Sequence, residues 1–273
     1  MRGTLAAALR LLGVAAASGG LGAAAPLDAS AEASCSAAYP QSAGIAKGNW
    51  IDISLPLQEG MPVWESAEGL PPVRKDASIE DDDEYNISTF PNLGVHTLTH
   101  VDAFKHFAPA GGPHDKRPPG TADDMADMPL EIFNGLVFVV DVPRDVRVLT
   151  REVLQKLDIP LTAERVIFKT ANTDKRILFT REFDSSYVAL DASGAQWAVE
   201  HPSLKLVGID SLSIAYYPHL WSAHRVLLGG GVTALEGAEL SQVQPGAYML
   251  HCLPLRIPGC DGSPVRAVLS RMA

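Results

Sequence analysis

Two histidines and an aspartate stand at even spacing in one short stretch, His96-Thr97-Leu98-Thr99-His100-Val101-Asp102. Val95, Thr97, Thr99 and Val101 are β-branched and alternate with His96, Leu98, His100 and Asp102, so the period is two. That period predicts a strand with His96, His100 and Asp102 on one face. On a helix the two histidines, four residues apart, would still align, but Asp102 would swing off their face. Two imidazoles and a carboxylate on one face suit a divalent transition metal, zinc or manganese rather than magnesium or calcium. An incomplete protein shell leaves room for water, whose pKa a metal lowers towards neutrality, and the chemistry this predicts is a nucleophilic hydroxide.

Three further residues extend this chemistry. His106 lies four positions past Asp102, where a loop could fold it back over the metal as a proton shuttle, its ordinary pKa (about 6.5) being suited to that task. On position alone it reads equally as a loop histidine without a role. His224 falls on a predicted helix, and Glu236 closes the apolar run 232–235 after the turn Gly229-Gly230-Gly231. A carboxylate at such a strand end needs a partner. Either the metal or a helix N-terminus would provide one.

The elements that must position these residues are those of an α/β chain. The sequence has 273 residues, 47% hydrophobic and 20% charged, which is enough for a sizeable core and argues against disorder in its body. Apolar β-branched runs at 136–142 and 165–170 predict buried strands, with further strands at 50–55, 204–209, 232–235 and 247–253. Helices are expected at 150–157, capped by Thr150, at 193–201, and from His219 towards Leu228. The acidic run 78–85 reads as a solvated loop in preference to a cation site, because consecutive carboxylates do not converge unless the loop is tightly folded.

Net charge is −10, from 22 Lys+Arg against 32 Asp+Glu, spread so as to leave no polyphosphate-binding surface. No nucleic acid or anionic membrane partner is therefore expected. Three cysteines, Cys35, Cys252 and Cys260, are too few for a disulfide-stapled fold, although Cys252 and Cys260 could pair. Residues 1–25 carry Arg2 and Arg10, the apolar run 11–17, small-residue cleavage sites and no acidic residue, which predicts a signal peptide and a secreted or periplasmic protein. The run is too short to span a bilayer well. Residues 26–48 read as an irregular linker or processed extension, and residues 49–273 as the globular domain.

The stretch His96 to His106 resembles the H-x-G-T-H-x-D-x-P-x-H signature of the cyclase family of metal-dependent hydrolases, the family of bacterial kynurenine formamidase (arylformamidase) and isatin hydrolase. The likeness continues through residues 206–213, the His224 and Glu236 pair, and residues 253–266, four motifs in the expected order. It implies an α/β fold, a swivelling β/β/α domain with a mixed β-sheet, assembled as a homodimer or homotetramer. It further implies that His96, His100 and Asp102 bind a first metal, that His224 and Glu236 join it or hold a second ion, and that His106 is the general acid/base. Trp64 falls where the family often carries an aromatic near its substrate, though a core or lid tryptophan fits as well.

Two departures stand out. Leu98 replaces the family's glycine and, by the period of two, shares the ligand face, where it should crowd the substrate. Phe104 replaces the proline before the catalytic histidine, removing a rigid turn that would aim His106. Leu98 and Phe104 are thus expected, with Trp64, to bear on substrate binding. The expectation is a hydrolase of carbon–nitrogen bonds other than peptide bonds, acting on a small amide, aryl formamide or lactam. N-formylkynurenine is the family's best-known substrate, but an exported protein points as much to a related cyclic or aryl amide. The alternative is a secreted metal- or ligand-binding protein on the same scaffold, with catalysis lost.

Overall fold

A computed structural model describes residues 46–47 and 49–272. The expected signal peptide, Cys35 and nearly all of the expected linker lie outside the described residues. Among the described residues there are twelve strands: β1 (Ala46–Lys47), β2 (Trp50–Asp52), β3 (Arg74–Ala77), β4 (Ile87–Thr89), β5 (His100–Asp102), β6 (Asn134–Asp141), β7 (Arg165–Lys169), β8 (Leu206–Ile209), β9 (Thr233–Glu236), β10 (Gly246–His251), β11 (Gly262–Pro264) and β12 (Val268–Arg271). The helices are α1 (Arg151–Leu154), α2 (Ala171–Lys175), α3 (Ala192–Glu200) and α4 (Leu220–Gly229). Ten strands form one mixed sheet in the order β1-β2-β12-β10-β6-β7-β8-β9-β5-β11, and β3 and β4 form a separate hairpin.

The centre of the sheet follows from its apolar runs. β6, β7, β8 and β9 pair in parallel, and every residue of β7, β8 and β9 is buried, as strands covered on both faces must be. Along β7, Val166 and Phe168 enter one core beneath the helices while Ile167 enters a second core on the opposite face. Each such side chain contributes about 1.5–3 kcal/mol by leaving water. The helices return the chain between parallel strands, and α1, α2 and α3 start where short polar side chains cap them. Thr150 accepts from the Val153 N–H ahead of α1, and Asp191 from the Gly194 N–H, at 2.8 Å, ahead of α3. The fold is thus α/β with a mixed, curled sheet and few helices.

Several elements differ from the sequence expectation. The expected strand through His96 is confined to β5; residues 95–99 form a turn in which Leu98 adopts φ +53°. Ala46 and Lys47, inside the expected linker, already pair with β2. The acidic run 78–85 is the exposed tip of the β3–β4 hairpin, closed by Asp83 accepting from the Ser78 N–H and Asn86 from the Ile79 N–H. Cys252 and Cys260 are both free thiols. Cys252 is buried against the Phe133 carbonyl, and that burial pushes its pKa up to about 12. Among the described residues no helix is long and apolar enough to cross a membrane.

Candidate metal centre

The site is assembled where β5 pairs antiparallel with β9. The register sets His100 directly opposite Glu236, and His100 Nε2 lies 3.1 Å from Glu236 Oε2. Asp102, two residues along β5, is fully buried; its backbone carbonyl accepts from Thr233 Oγ1. α4 enters from the side and brings His224 Nε2 to 3.3 Å from Glu236 Oε1 and 3.8 Å from Asp102 Oδ2. His96 arrives from the turn, with Nδ1 3.0 Å from Asp102 Oδ1. The side chains of His96, His100, Asp102, His224 and Glu236 are thus brought together, by four different stretches of chain.

The hydrogen bonds at the rim define which ring nitrogens face inward. His100 Nδ1–H donates to the Leu98 carbonyl at 2.9 Å, and His224 Nδ1–H to the Leu220 carbonyl at 2.8 Å. In their neutral form both rings aim an Nε2 lone pair at Asp102 and Glu236. His100 Nε2 and both carboxylate oxygens of Asp102 are buried without a hydrogen-bond partner. Converging lone pairs and carboxylates at such depth are stable only around positive charge. The titration directions report the same demand. Burial alone would lower His96, yet the Asp102 carboxylate beside it, together with Asp261 and Glu236, outweighs burial and raises it to about 9. His224 is likewise raised against burial by Glu236 and Asp102, and Glu236, against its own burial, is lowered by His100 and His224. A divalent cation answers that demand without protonating the rings, and anchoring each Nδ1 on a carbonyl is how ligand imidazoles are oriented. His96, His100 and Asp102 lie close enough to act as one donor set.

His106 ends a 3₁₀ turn that follows β5 and is closed by its own N–H donating to the Ala103 carbonyl at 3.0 Å. Its ring stacks on His96 with centroids 4.0 Å apart and meets His224 edge-on at 5.9 Å. Burial lowers its pKa, which keeps the ring neutral and able to accept a proton. It opens onto a cavity of about 680 Å³ lined by Trp64, Leu70, His96, Leu98, Phe107, Leu212, Leu220 and His224, among others. Trp64 sits in that wall, its ring 4.5 Å from Phe183 and 5.9 Å from Tyr217.

Two residues expected to bear on substrate are placed differently. Phe104 does not line the cavity; its ring is buried in the second core with the Arg117 guanidinium 4.7 Å above it. The 3₁₀ turn points it inward because the stretch there is no longer extended. Leu98 does touch the cavity, but it owes this to the turn and not to strand alternation, and its side chain is 1% exposed within the first core. Its φ of +53° is where glycine is ordinarily preferred, so the glycine of the family signature is explained by the backbone. Sequence reasoning missed Asp261, which accepts hydrogen bonds from both His96 and His106. It lies in the C-terminal run that resembles the family, but no spacing ties it to histidines more than 150 positions away.

The comparisons with known proteins agree with this geometry. The Cyclase family model matches residues 51–216. "Cyclase-like protein 3" of Oryza sativa subsp. japonica is 39% identical over 250 residues, covering 86% of this chain and 86% of that protein. The "Kynurenine formamidase" of Salinibacter ruber is 33% identical over 220 residues, 80% of this chain and 96% of that protein. The crystal structure of an isatin hydrolase bound to the product analogue thioisatinate superposes with a TM-score of 0.65 over 82% of this chain and 92% of that one; at 18% identity it shows the shared fold. On the family match and on relatives of this identity and coverage, the chain belongs to the cyclase family of metal-dependent hydrolases.

Proposed function

We propose that this protein hydrolyses a carbon–nitrogen bond outside peptides, in an aryl formamide or a cyclic aryl amide. The observation that carries the reading is a largely apolar cavity of about 680 Å³ lined by His106 and by His100, whose Nε2, like both carboxylate oxygens of the neighbouring Asp102, is buried without a hydrogen-bond partner. Pockets of this size and lining take small ligands with a flat apolar body and a few polar atoms. His96, His100 and Asp102 would hold a divalent cation, zinc or manganese, with His224 and Glu236 completing its shell or holding a second ion. When bound, such a cation acidifies water and polarises a carbonyl oxygen.

The protein's own groups do the rest. Asp261 accepts from His106 Nδ1–H at 2.9 Å, which leaves Nε2 as the basic nitrogen. His106 Nε2 takes the proton from the attacking water as its oxygen bonds to the carbonyl carbon. The same proton passes to the departing nitrogen as the carbon–nitrogen bond breaks, giving a carboxylic acid and an amine. The wall formed by Trp64, Phe107, Leu212 and Leu220 excludes bulk water and presents flat apolar surface to an aromatic ring.

The test is metal analysis followed by a substrate panel. The purified protein is expected to carry zinc or manganese, to hydrolyse at least one of a set of aryl formamides, lactams and aryl esters, and to lose that activity on chelation. Bound metal with no hydrolysis across the panel would overturn the enzymatic reading in favour of a metal-binding protein.

A further inference from the structure

One oxygen of Asp261 holds two imidazoles at once. Asp261 Oδ2 lies 3.1 Å from His96 Nε2 and 2.9 Å from His106 Nδ1, while those two rings stack with centroids 4.0 Å apart. Both distances are those of N–H donors meeting a carboxylate oxygen. The backbone brings Asp261 there. β11 pairs with β5 so that Gly262 faces Asp102, and the Ala103 N–H donates to the Asp261 carbonyl at 2.8 Å, one step before the turn that carries His106. Gly262 is needed for this approach, because a Cβ at that position would stand 2.6 Å from His96 Cε1.

The consequences for the two rings are opposite and complementary. With Nε2–H spent on Asp261, His96 turns its Nδ1 towards Asp102, whereas His100 and His224 present Nε2 to the same centre. With Nδ1–H spent on the same oxygen, His106 keeps Nε2 for the cavity. A neutral histidine without such a partner ordinarily carries its proton on Nε2, the tautomer that could not act as a base there. We propose that Asp261 is a positioning residue of the site: a single carboxylate that sets the tautomer of the proton-transferring His106 and, through His96, ties it to the metal-facing cluster. This inference rests on the reading of His106 as the proton carrier.

The test separates that dependence. ¹⁵N-detected NMR of the zinc-loaded full chain, with His106 assigned by its loss in His106→Ala, is expected to show His106 protonated on Nδ1. Asp261→Ala at saturating zinc should move that proton to Nε2 and lower kcat by about 10- to 100-fold with KM little changed, the usual effect of removing a group that orients a site imidazole. Asp261→Asn, whose amide oxygen still accepts, should fall between, and it serves in place of the alanine variant if that variant does not fold. A wild-type His106 tautomer in Asp261→Ala would overturn the proposal, as would loss of one equivalent of zinc, which would make Asp261 a ligand. If the tautomer shifts while wild-type protein hydrolyses nothing in the panel, Asp261 still sets the His106 tautomer, and it is the hydrolase reading that fails.

Discussion

The inner and outer halves of the site are held by different kinds of partner. Inside, His100 and His224 lean their Nδ1–H groups on the backbone carbonyls of Leu98 and Leu220, and their side chains are 2% and 4% exposed. Outside, His96 and His106 share the side-chain carboxylate of Asp261, with exposures of 27%, 24% and 44%. The Leu220 carbonyl belongs to α4 and the Leu98 carbonyl to the buried turn that leads into β5, so neither moves without moving that backbone, and the inner rings are fixed in direction as ligands should be. A carboxylate on a loop, open to water, suits the proton exchange with substrate proposed for His106, while it turns His96 Nδ1 towards Asp102. On the proposed reading the buried half holds charge in place, and the open half couples it, through His96, to the proton carrier His106.

That division can be broken from either side. The largest effect is expected from His100→Ala, which removes a ligand from the inner half: the protein should lose its metal and its hydrolysis together, as read by metal analysis and initial rates. Wild-type activity in this variant would sink the metal-dependent mechanism. Next comes His106→Ala in the outer half, which should retain metal while its rate falls by about 10² to 10⁴, the usual worth of general acid/base catalysis. Wild-type turnover there would move proton transfer to another group, and loss of metal would erase the distinction between the halves.

The smallest effect sharpens the comparison at the anchor of His100. Leu98 holds φ +53° while its carbonyl accepts from His100 Nδ1–H. In ordinary extended or helical backbone alanine is more stable than glycine by about 0.5–1 kcal/mol. Here the order should reverse: both truncations lose the buried leucine side chain, but Leu98→Gly should be more stable than Leu98→Ala by about 1 kcal/mol, measured by urea unfolding. The usual order would mean that the turn relaxes and that the inner half is less rigid than its hydrogen bonds imply. If glycine also widens the range of formamides accepted, Leu98 contributes to substrate choice as well.

Much of the framework was legible in the residues. The parallel strands at the centre of the sheet are continuous β-branched and apolar runs, and Thr150 marks a helix start with a side chain that caps it. His100 and Asp102 do alternate on a strand. His96 was harder to place, because a regular period of two continues through Leu98, and only a left-handed residue there ends the strand. Phe104 is expected to bear on substrate because it replaces the family's proline, but the 3₁₀ turn after Asp102 carries its ring into the second core under Arg117. Asp261 carried no periodic signal, since its role depends on β11 pairing with β5 across more than 150 residues.

Residue type and short spacing by themselves determined which chemistry this protein could hold: imidazoles and carboxylates suited to a divalent cation, on an apolar α/β framework. That much is local, because it needs only side-chain donors and the repeat of a strand. The tertiary structure decided which donors meet, which nitrogen of each ring faces inward and where the cavity opens. Those outcomes depend on strand register, helix docking and hydrogen bonds to distant carbonyls and carboxylates, and no local pattern encodes contacts that only folding creates.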